Sequence, residues 1–348
     1  MEPRCLIRFD ASPQIGGGHA VRCLTLAYVM RRAGWHCTLA WREPTPATVP
    51  AVATADFSAL RLEGPEAGEI SSMKAELLGG VDLIVVDHYE RGQAFEAACR
   101  GWARRVAVIE DCPNRPHDCD ILIDQTFARE RATYAPLVPA DCQILAGSNY
   151  AMLRGEFADA RSAALERRRR GGPLARVLVS FGMADPDNLS GMALGAIAES
   201  GIDAAVDVVL GADAPHRAAV EKAHGALPGG GKVHAFVEDM ATLMVGADLA
   251  IGGAGSTAWE RCCLGLPTLM FVLADNQLDI AASLSGRGAA ENLGAPDGAG
   301  AARLATRLRA LAARPDRLVE MSEVAASVCD GLGAERVARA FVAMAQAA

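Results

Sequence analysis

A histidine and an arginine share one glycine-rich run near the start of the chain, Asp10-Ala-Ser-Pro-Gln-Ile-Gly-Gly-Gly-His19-Ala-Val-Arg22. An apolar segment, Cys5-Leu-Ile-Arg-Phe9, precedes it and an amphipathic one, residues 24–33, follows. That order reads as strand, tight turn and helix start. Gly16, Gly17 and Gly18 remove Cβ atoms where backbone must pass close to something bulky. His19 then falls in the first helical turn, beside unpaired N–H groups and the positive end of the helix dipole. That field disfavours imidazolium, so the ring is expected to stay neutral and able to accept a proton. Such a histidine facing an anion-friendly loop suits a general base acting on a phosphorylated substrate. The plainer alternative is a histidine that only caps or packs.

A second glycine-rich turn, Gly252-Gly-Ala-Gly-Ser-Thr257, follows the apolar run Asp248-Leu-Ala-Ile251 and leads into a helix from about Thr257. Main-chain N–H groups of Gly255, Ser256 and Thr257 can hold a diphosphate there without a cationic side chain. Glu260 shares the face of Ser256 by i, i+4 spacing. It can accept hydrogen bonds from a ribose diol, or simply favour the helix N-terminus. A third turn, Phe181-Gly-Met-Ala-Asp-Pro-Asp-Asn188, offers Gly182 to the same phosphates. Asp10 and Asp111, at strand ends, either orient His19 or satisfy loop backbone. Asp87 reads equally as a helix cap.

The elements that must position these residues alternate. Strands are predicted at 5–10, 36–41, 60–62, 81–87, 105–110 and 120–123, with helices at 19–33, 66–78 and 93–101. After Glu166-Arg-Arg-Arg-Arg-Gly-Gly-Pro173, which reads as a solvated helix end or linker, a second series begins. Its strands are 175–181, 205–210, 232–236, 249–251 and 268–272. Its helices are 188–199, 215–224, 257–264, 278–286 and 301–312. The fold class is α/β, with two doubly wound parallel sheets facing across a cleft at their carboxyl ends. The expected domains are 1–165, carrying the histidine loop and the sugar side, and 174–333, binding the nucleotide. A last helix, 334–345 within segment 334–348, is expected to pack back.

The chain has 348 residues, 51% of them hydrophobic and only 5% aromatic, which suits parallel sheets built from Ala, Val and Leu. A net charge of −8 argues against nucleic-acid binding, and no apolar run approaches a membrane span. The ten cysteines follow no repeating interval. Cys5, Cys23 and Cys99 read as buried hydrophobes and the compartment as cytoplasmic. Cys112 and Cys119 bracket His117 at a spacing too wide for common zinc motifs, so no metal is expected. A nicotinamide-dinucleotide fingerprint is a poor match, because Val21 stands where its third glycine belongs.

These residues are similar to a known signature. Ser12-Pro-Gln-Ile-Gly-Gly-Gly-His19 with Arg22-Cys-Leu-Thr-Leu-Ala27 resembles the opening of the UDP-2,4-diacetamido-2,4,6-trideoxy-β-L-altropyranose hydrolases of pseudaminic acid biosynthesis. That family is related to the GT-B transferase that adds N-acetylglucosamine in peptidoglycan synthesis. Val86-Asp-His-Tyr89, Glu110-Asp111, Cys119-Asp-Ile-Leu122, Tyr150-Ala-Met-Leu-Arg-Gly-Glu-Phe157, Asp185 with Asn188-Leu-Ser190, Gly255-Ser-Thr-Ala-Trp-Glu260 and Leu264-Gly-Leu-Pro267 extend the likeness along nearly the full length. Met183 departs from it, since relatives often carry a second glycine there.

The resemblance implies a GT-B-like fold and a cofactor-independent, metal-independent hydrolase. It would cleave the anomeric C–O bond of a UDP-sugar with water, inverting that carbon and releasing UDP. His19 would be the base, with Tyr89 and Asn276 in the cleft. Glu260 would bind ribose and the main chain at Val237 would read uracil. Gly16, Gly17, Gly18, Arg22, Gly182, Gly255, Ser256, Thr257 and Gln277 would complete the substrate-binding set. Asn276 alternatively caps the helix after it, and His88 reads as a packed neighbour. A glycosyltransferase with the same donor and a non-catalytic UDP-sugar sensor are the rival readings.

Overall fold

A computed structural model of the protein describes residues 2–12 and 15–346. Pro13 and Gln14 of the opening signature lie outside the described residues. The chain divides into two compact units, one running to Arg154 and resuming from Leu332, the other Gly155–Gly331.

The first unit holds a seven-stranded sheet: β1 (Arg4–Phe9), β2 (His36–Trp41), β3 (Ser58–Arg61), β4 (Val81–Asp87), β5 (Ala103–Ile109), β6 (Ile121–Asp124) and β7 (Gln143–Ala146). Their spatial order is β3-β2-β1-β4-β5-β6-β7 and every pairing is parallel. The apolar runs that form these strands are covered on both faces, so they show little alternation. One face packs Ile7, Phe9, Leu39, Leu83 and Val85 against the helix Gly18–Arg32. The last helix, Gly333–Gln346, joins that core through Val337, Ala338 and Phe341. Full burial of one such large apolar side chain contributes roughly 1.5–3 kcal/mol.

The second unit repeats the plan with β8 (Arg176–Ser180), β9 (Ala205–Val209), β10 (Gly231–His234), β11 (Leu249–Gly253), β12 (Thr268–Phe271) and β13 (Glu291–Asn292). The order is β10-β9-β8-β11-β12-β13, again all parallel. In each sheet the chain starts centrally and reverses direction once, between β1 and β4 and between β8 and β11. The crevice outside the carboxyl ends at such a reversal is where doubly wound sheets bind ligands.

The basic run departs from expectation. Arg167, Arg168 and Arg169 form the last turn of the helix Gly155–Arg169 in the second unit. Arg167 donates to Gly246 O (3.0 Å) and Arg168 to Ala247 O (3.0 Å) and Met244 O (2.8 Å). They satisfy carbonyls left open at the C-terminal end of the helix Met240–Gly246. Composition alone shows the charge but not the carbonyls awaiting it. No described helix is long and apolar enough to cross a membrane.

Candidate functional site

Strand order brings His19 and Asp87 together. His19 lies in the first turn after β1, and Asp87 is the last residue of β4, in register with Phe9. In the loop before His19, Gly16 adopts φ +81°, open to glycine at little cost, and its N–H donates to Ser12 O at 2.7 Å. His19 Nδ1 is 2.5 Å from Asp87 Oδ1. Arg22, one turn on along the same helix face, forks onto the carboxylate, Nε to Oδ2 and Nη2 to Oδ1, both at 2.6 Å. All three side chains are buried.

Burial pushes the Asp87 carboxyl up, but Arg22 and then His19 outweigh it and hold the group well below the usual carboxylate range. Asp87 is therefore an anion that can only accept. Nδ1 must carry the hydrogen toward it, and the lone pair remains on Nε2. Arg22 Nη2 lies 3.1 Å from Nδ1, but both carry hydrogens, so the two are held together only by donating to the same Asp87 oxygen. A buried carboxylate fixing one imidazole nitrogen so that the other can take a proton is the arrangement of a positioned general base.

Tyr89 stands edge-on to the His19 ring, with centroids 4.7 Å apart and planes at 89°. Its hydroxyl donates to Asp111 Oδ2 at 3.3 Å, and Arg22 Nη1 reaches the same oxygen at 3.3 Å. Asp111 thus ties Tyr89 to the Arg22–Asp87 pair and makes no bond to His19. Asp10 does not orient His19 either: it holds Arg8 (2.7 Å), the Arg42 N–H (2.7 Å) and His88 Nε2 (3.1 Å). Nor does Asp87 cap a helix, since the next one, Gln93–Cys99, has Gly92 at its N-cap.

The loop carrying Asp111 is clamped from below by groups that pattern reading does not connect. Glu110 Oε1 accepts from the N–H groups of Asp111 (2.8 Å) and Cys112 (2.9 Å), and Oε2 pairs with Arg115 (2.6 Å). His117 lies between Glu96 and Glu110: Nδ1 is hydrogen-bonded to Glu96 (2.7 Å), and Nε2 stands 3.3 Å from a Glu110 oxygen. Cys119 Sγ faces Cys142 Sγ at 3.7 Å. Cys112, His117 and Cys119 are therefore not gathered as metal ligands.

In the second unit every expected contact residue follows the carboxyl end of a strand. Gly182 (φ +100°) follows β8, Val237 follows β10, and Asn276 and Gln277 sit in the turn Asp275–Gln277 after β12. After β11, Ser256 and Thr257 are exposed and Gly255 and Glu260 half-buried at the start of the helix Thr257–Cys263. A Cβ on Gly252 would lie 2.3 Å from Ser180 O, so glycine is required for β11 to leave the sheet this way. Buried Arg261 donates to Gly253 O (2.6 Å), an unforeseen brace on the turn. Gln277 Oε1 accepts from Ala254 and Leu273 N–H, each at 3.1 Å, so its carbonyl holds the loop.

One expectation here changes. The N-cap of the helix Leu278–Arg287 is Gln277, not Asn276. In the third turn, Asp185 accepts from the N–H groups of Leu189 (2.9 Å) and Ser190 (2.8 Å), tying the loop to the start of the helix Leu189–Ser200.

No family model matches the chain. An uncharacterised protein of Methanocaldococcus jannaschii is 22% identical over 276 residues, 77% of this chain and 55% of its own. The UDP-2,4-diacetamido-2,4,6-trideoxy-beta-L-altropyranose hydrolase of Campylobacter jejuni is 26% identical over 154 residues, 44% of this chain and 53% of its own. A UDP-N-acetylglucosamine–N-acetylmuramyl-(pentapeptide) pyrophosphoryl-undecaprenol N-acetylglucosamine transferase of Sorangium cellulosum is 34% identical over 126 residues, 35% of this chain and 31% of its own. The matches span about half the length of the first two relatives and less of the third. Among solved structures, Acinetobacter baumannii MurG superposes with TM-score 0.69 at 15% identity, over 97% of this chain and 99% of that one. The Neisseria meningitidis UDP-GlcNAc 2-epimerase bound to UDP-GlcNAc gives TM-score 0.65 at 12% identity, over 97% and 99%. Two parallel α/β units of this topology, shared with these proteins, make the fold GT-B.

Proposed function

We propose that the protein is an enzyme of UDP-sugar chemistry and that it hydrolyses a UDP-linked 2,4-diacetamido-2,4,6-trideoxy hexose on the route to pseudaminic or a related nonulosonic acid. The observation that carries this reading is the His19–Asp87–Arg22 arrangement, a base with its proton-accepting nitrogen left open. Water gives a proton to His19 Nε2 as its oxygen bonds to the anomeric carbon. The C–O bond to the diphosphate breaks on the opposite face, so UDP leaves and the carbon inverts. Asp87 stabilises the imidazolium formed. Tyr89 and Asn276 would position water and the acyl groups. Main-chain donors at Gly255–Thr257 would take the charge on the leaving diphosphate, and Glu260 the ribose. The likeness to the Campylobacter jejuni hydrolase supports this choice of substrate.

A transferase is the second reading, favoured by the likeness to the Sorangium cellulosum enzyme. UDP release from donor alone separates the two. Under the hydrolase reading UDP accumulates without acceptor, and ¹⁸O from labelled water appears in the sugar. A donor that stays intact until an acceptor is added overturns that reading in favour of transfer, and label in UDP would place the cleavage at phosphorus.

A further inference from the structure

Away from the turns that carry Ser256 and Thr257, at the amino ends of the second unit's strands, lies a cavity of about 210 Å³. Arg167, Arg168, Arg170, Asp248, Pro267 and Leu318 line it. Ligand pockets for drug-sized molecules run about 300–1,000 Å³, so this one suits something compact. Three arginines and one carboxylate line it, and that carboxylate is committed. Asp248 Oδ1 pairs with Arg167 at 2.6 Å, while Oδ2 accepts from the N–H groups of Ala175 (3.0 Å) and Arg176 (2.8 Å). Arg170 pairs only with exposed Glu166, at 2.6 Å.

Arg168 is the group left short. It is 6% exposed, its two Nη atoms rest on carbonyls, and its Nε has no acceptor. Among the described residues no carboxylate lies within ion-pair distance of it. Burial and the neighbouring Arg167 lower its pKa to about 10. Asp248 offsets part of that shift from beyond ion-pair distance, so the buried cation is only partly compensated, which is costly. The first turn of the twelve-residue helix Pro315–Ala326 borders the same space through Pro315, and the Asp316 carboxylate of that turn is already paired with Arg314 at 2.8 Å.

We propose that this cavity binds a compact phosphate-class oxyanion, free or as a small monoester. Its negative charge would be set against the arginine group, and any organic part against Pro267 and Leu318. The site lies at the other end of the strands from the candidate nucleotide contacts and does not depend on the hydrolase reading.

The test is thermal unfolding of the full chain with inorganic phosphate against sodium chloride at equal ionic strength, in the presence of excess UDP. A phosphate-specific rise of several degrees in Tm is expected. Arg170→Gln should weaken the response about tenfold, and Val319→Glu, which puts a carboxylate into the lining, should abolish it. Both variants should match the native Tm in chloride, and if one fails to fold the other decides. Glycerol 3-phosphate acting at lower concentration than phosphate identifies a monoester, and equal potency a free anion. No phosphate-specific rise, or an equal rise in both variants, means an adventitious ion only and overturns the proposal. Binding confined to phosphatidylglycerol vesicles overturns it in favour of a lipid surface.

Discussion

Asp87 and His19 are 68 positions apart in sequence, yet Oδ1 of one lies 2.5 Å from Nδ1 of the other. The contact spans the two strands between which the first sheet reverses direction, because His19 follows β1 and Asp87 ends β4. Arg22 completes the unit by neutralising the carboxylate that would otherwise be buried alone. The ring is held at one nitrogen and open at the other.

Replacing His19 with Ala should lower kcat for UDP release by about 10²–10⁴-fold, the usual contribution of a general base. UDP affinity, measured by titration calorimetry, should stay within about threefold, since the candidate nucleotide contacts lie in the other unit. A variant turning over near the native rate would remove the ring from the mechanism.

Asp87→Asn keeps the shape but loses the charge, and its amide can donate to Nδ1 and so select the wrong tautomer. A kcat loss of about 10²-fold or more is expected, by analogy with the aspartate of catalytic triads. Asp87→Ala should also unfold more readily in urea, by about 3 kcal/mol, because Arg22 is left buried with only its longer contact to Asp111. In the native protein the Asp87 carboxyl titrates below its unfolded value of about 3.9. Its stabilising contribution is therefore full above that value and declines as the solution is acidified below it. Equal acid stability of native and Asp87→Asn proteins would contradict this.

Tyr89→Phe deletes the hydroxyl bond to Asp111 while keeping the edge-on contact with His19. A single hydrogen bond contributes about 0.5–1.5 kcal/mol, so kcat should fall roughly two- to tenfold. Tyr89→Ala removes the ring as well and should cost more. Steady-state kinetics of the two variants side by side would expose a tyrosine that serves only as cover, for then neither would change kcat.

His117 gives a stability signature at the alkaline end. Burial alone would lower its pKa, but the bonds to Glu110 and Glu96 push it up to about 9, above the unfolded value of about 6.5. Its contribution is complete below about 6.5 and lost as pH rises through 9. The native Tm should fall across pH 7 to 10 more steeply than that of His117→Gln. Parallel profiles would show that His117 carries no charge in the folded protein.

Much of the architecture was legible because apolar runs bounded by turn residues report parallel strands directly. His36–Trp41 and Val81–Asp87 coincide with their predicted bounds. β7 (Gln143–Ala146) has only Ile144 and Leu145 as large apolar residues, and β13 (Glu291–Asn292) is two polar residues, so neither shows as a strand in the sequence. The arginine run that ends the helix Gly155–Arg169 reads in sequence as a solvated helix end or linker, whereas tertiary contacts give Arg167 and Arg168 carbonyls to hold.

For the site, the sequence alone determined which residues stand at turns where backbone can approach a ligand: Gly16 to His19, and Gly252 to Thr257. Glycine content and strand-to-helix order are local properties. Only the tertiary structure decided that Asp87, rather than Asp10 or Asp111, holds His19, that Asp111 holds Tyr89, and that Glu96, Glu110 and His117 support the loop between them. Those pairings depend on the spatial order of strands, and several carboxylates at neighbouring strand ends look alike until the sheet sets which end lies next to which.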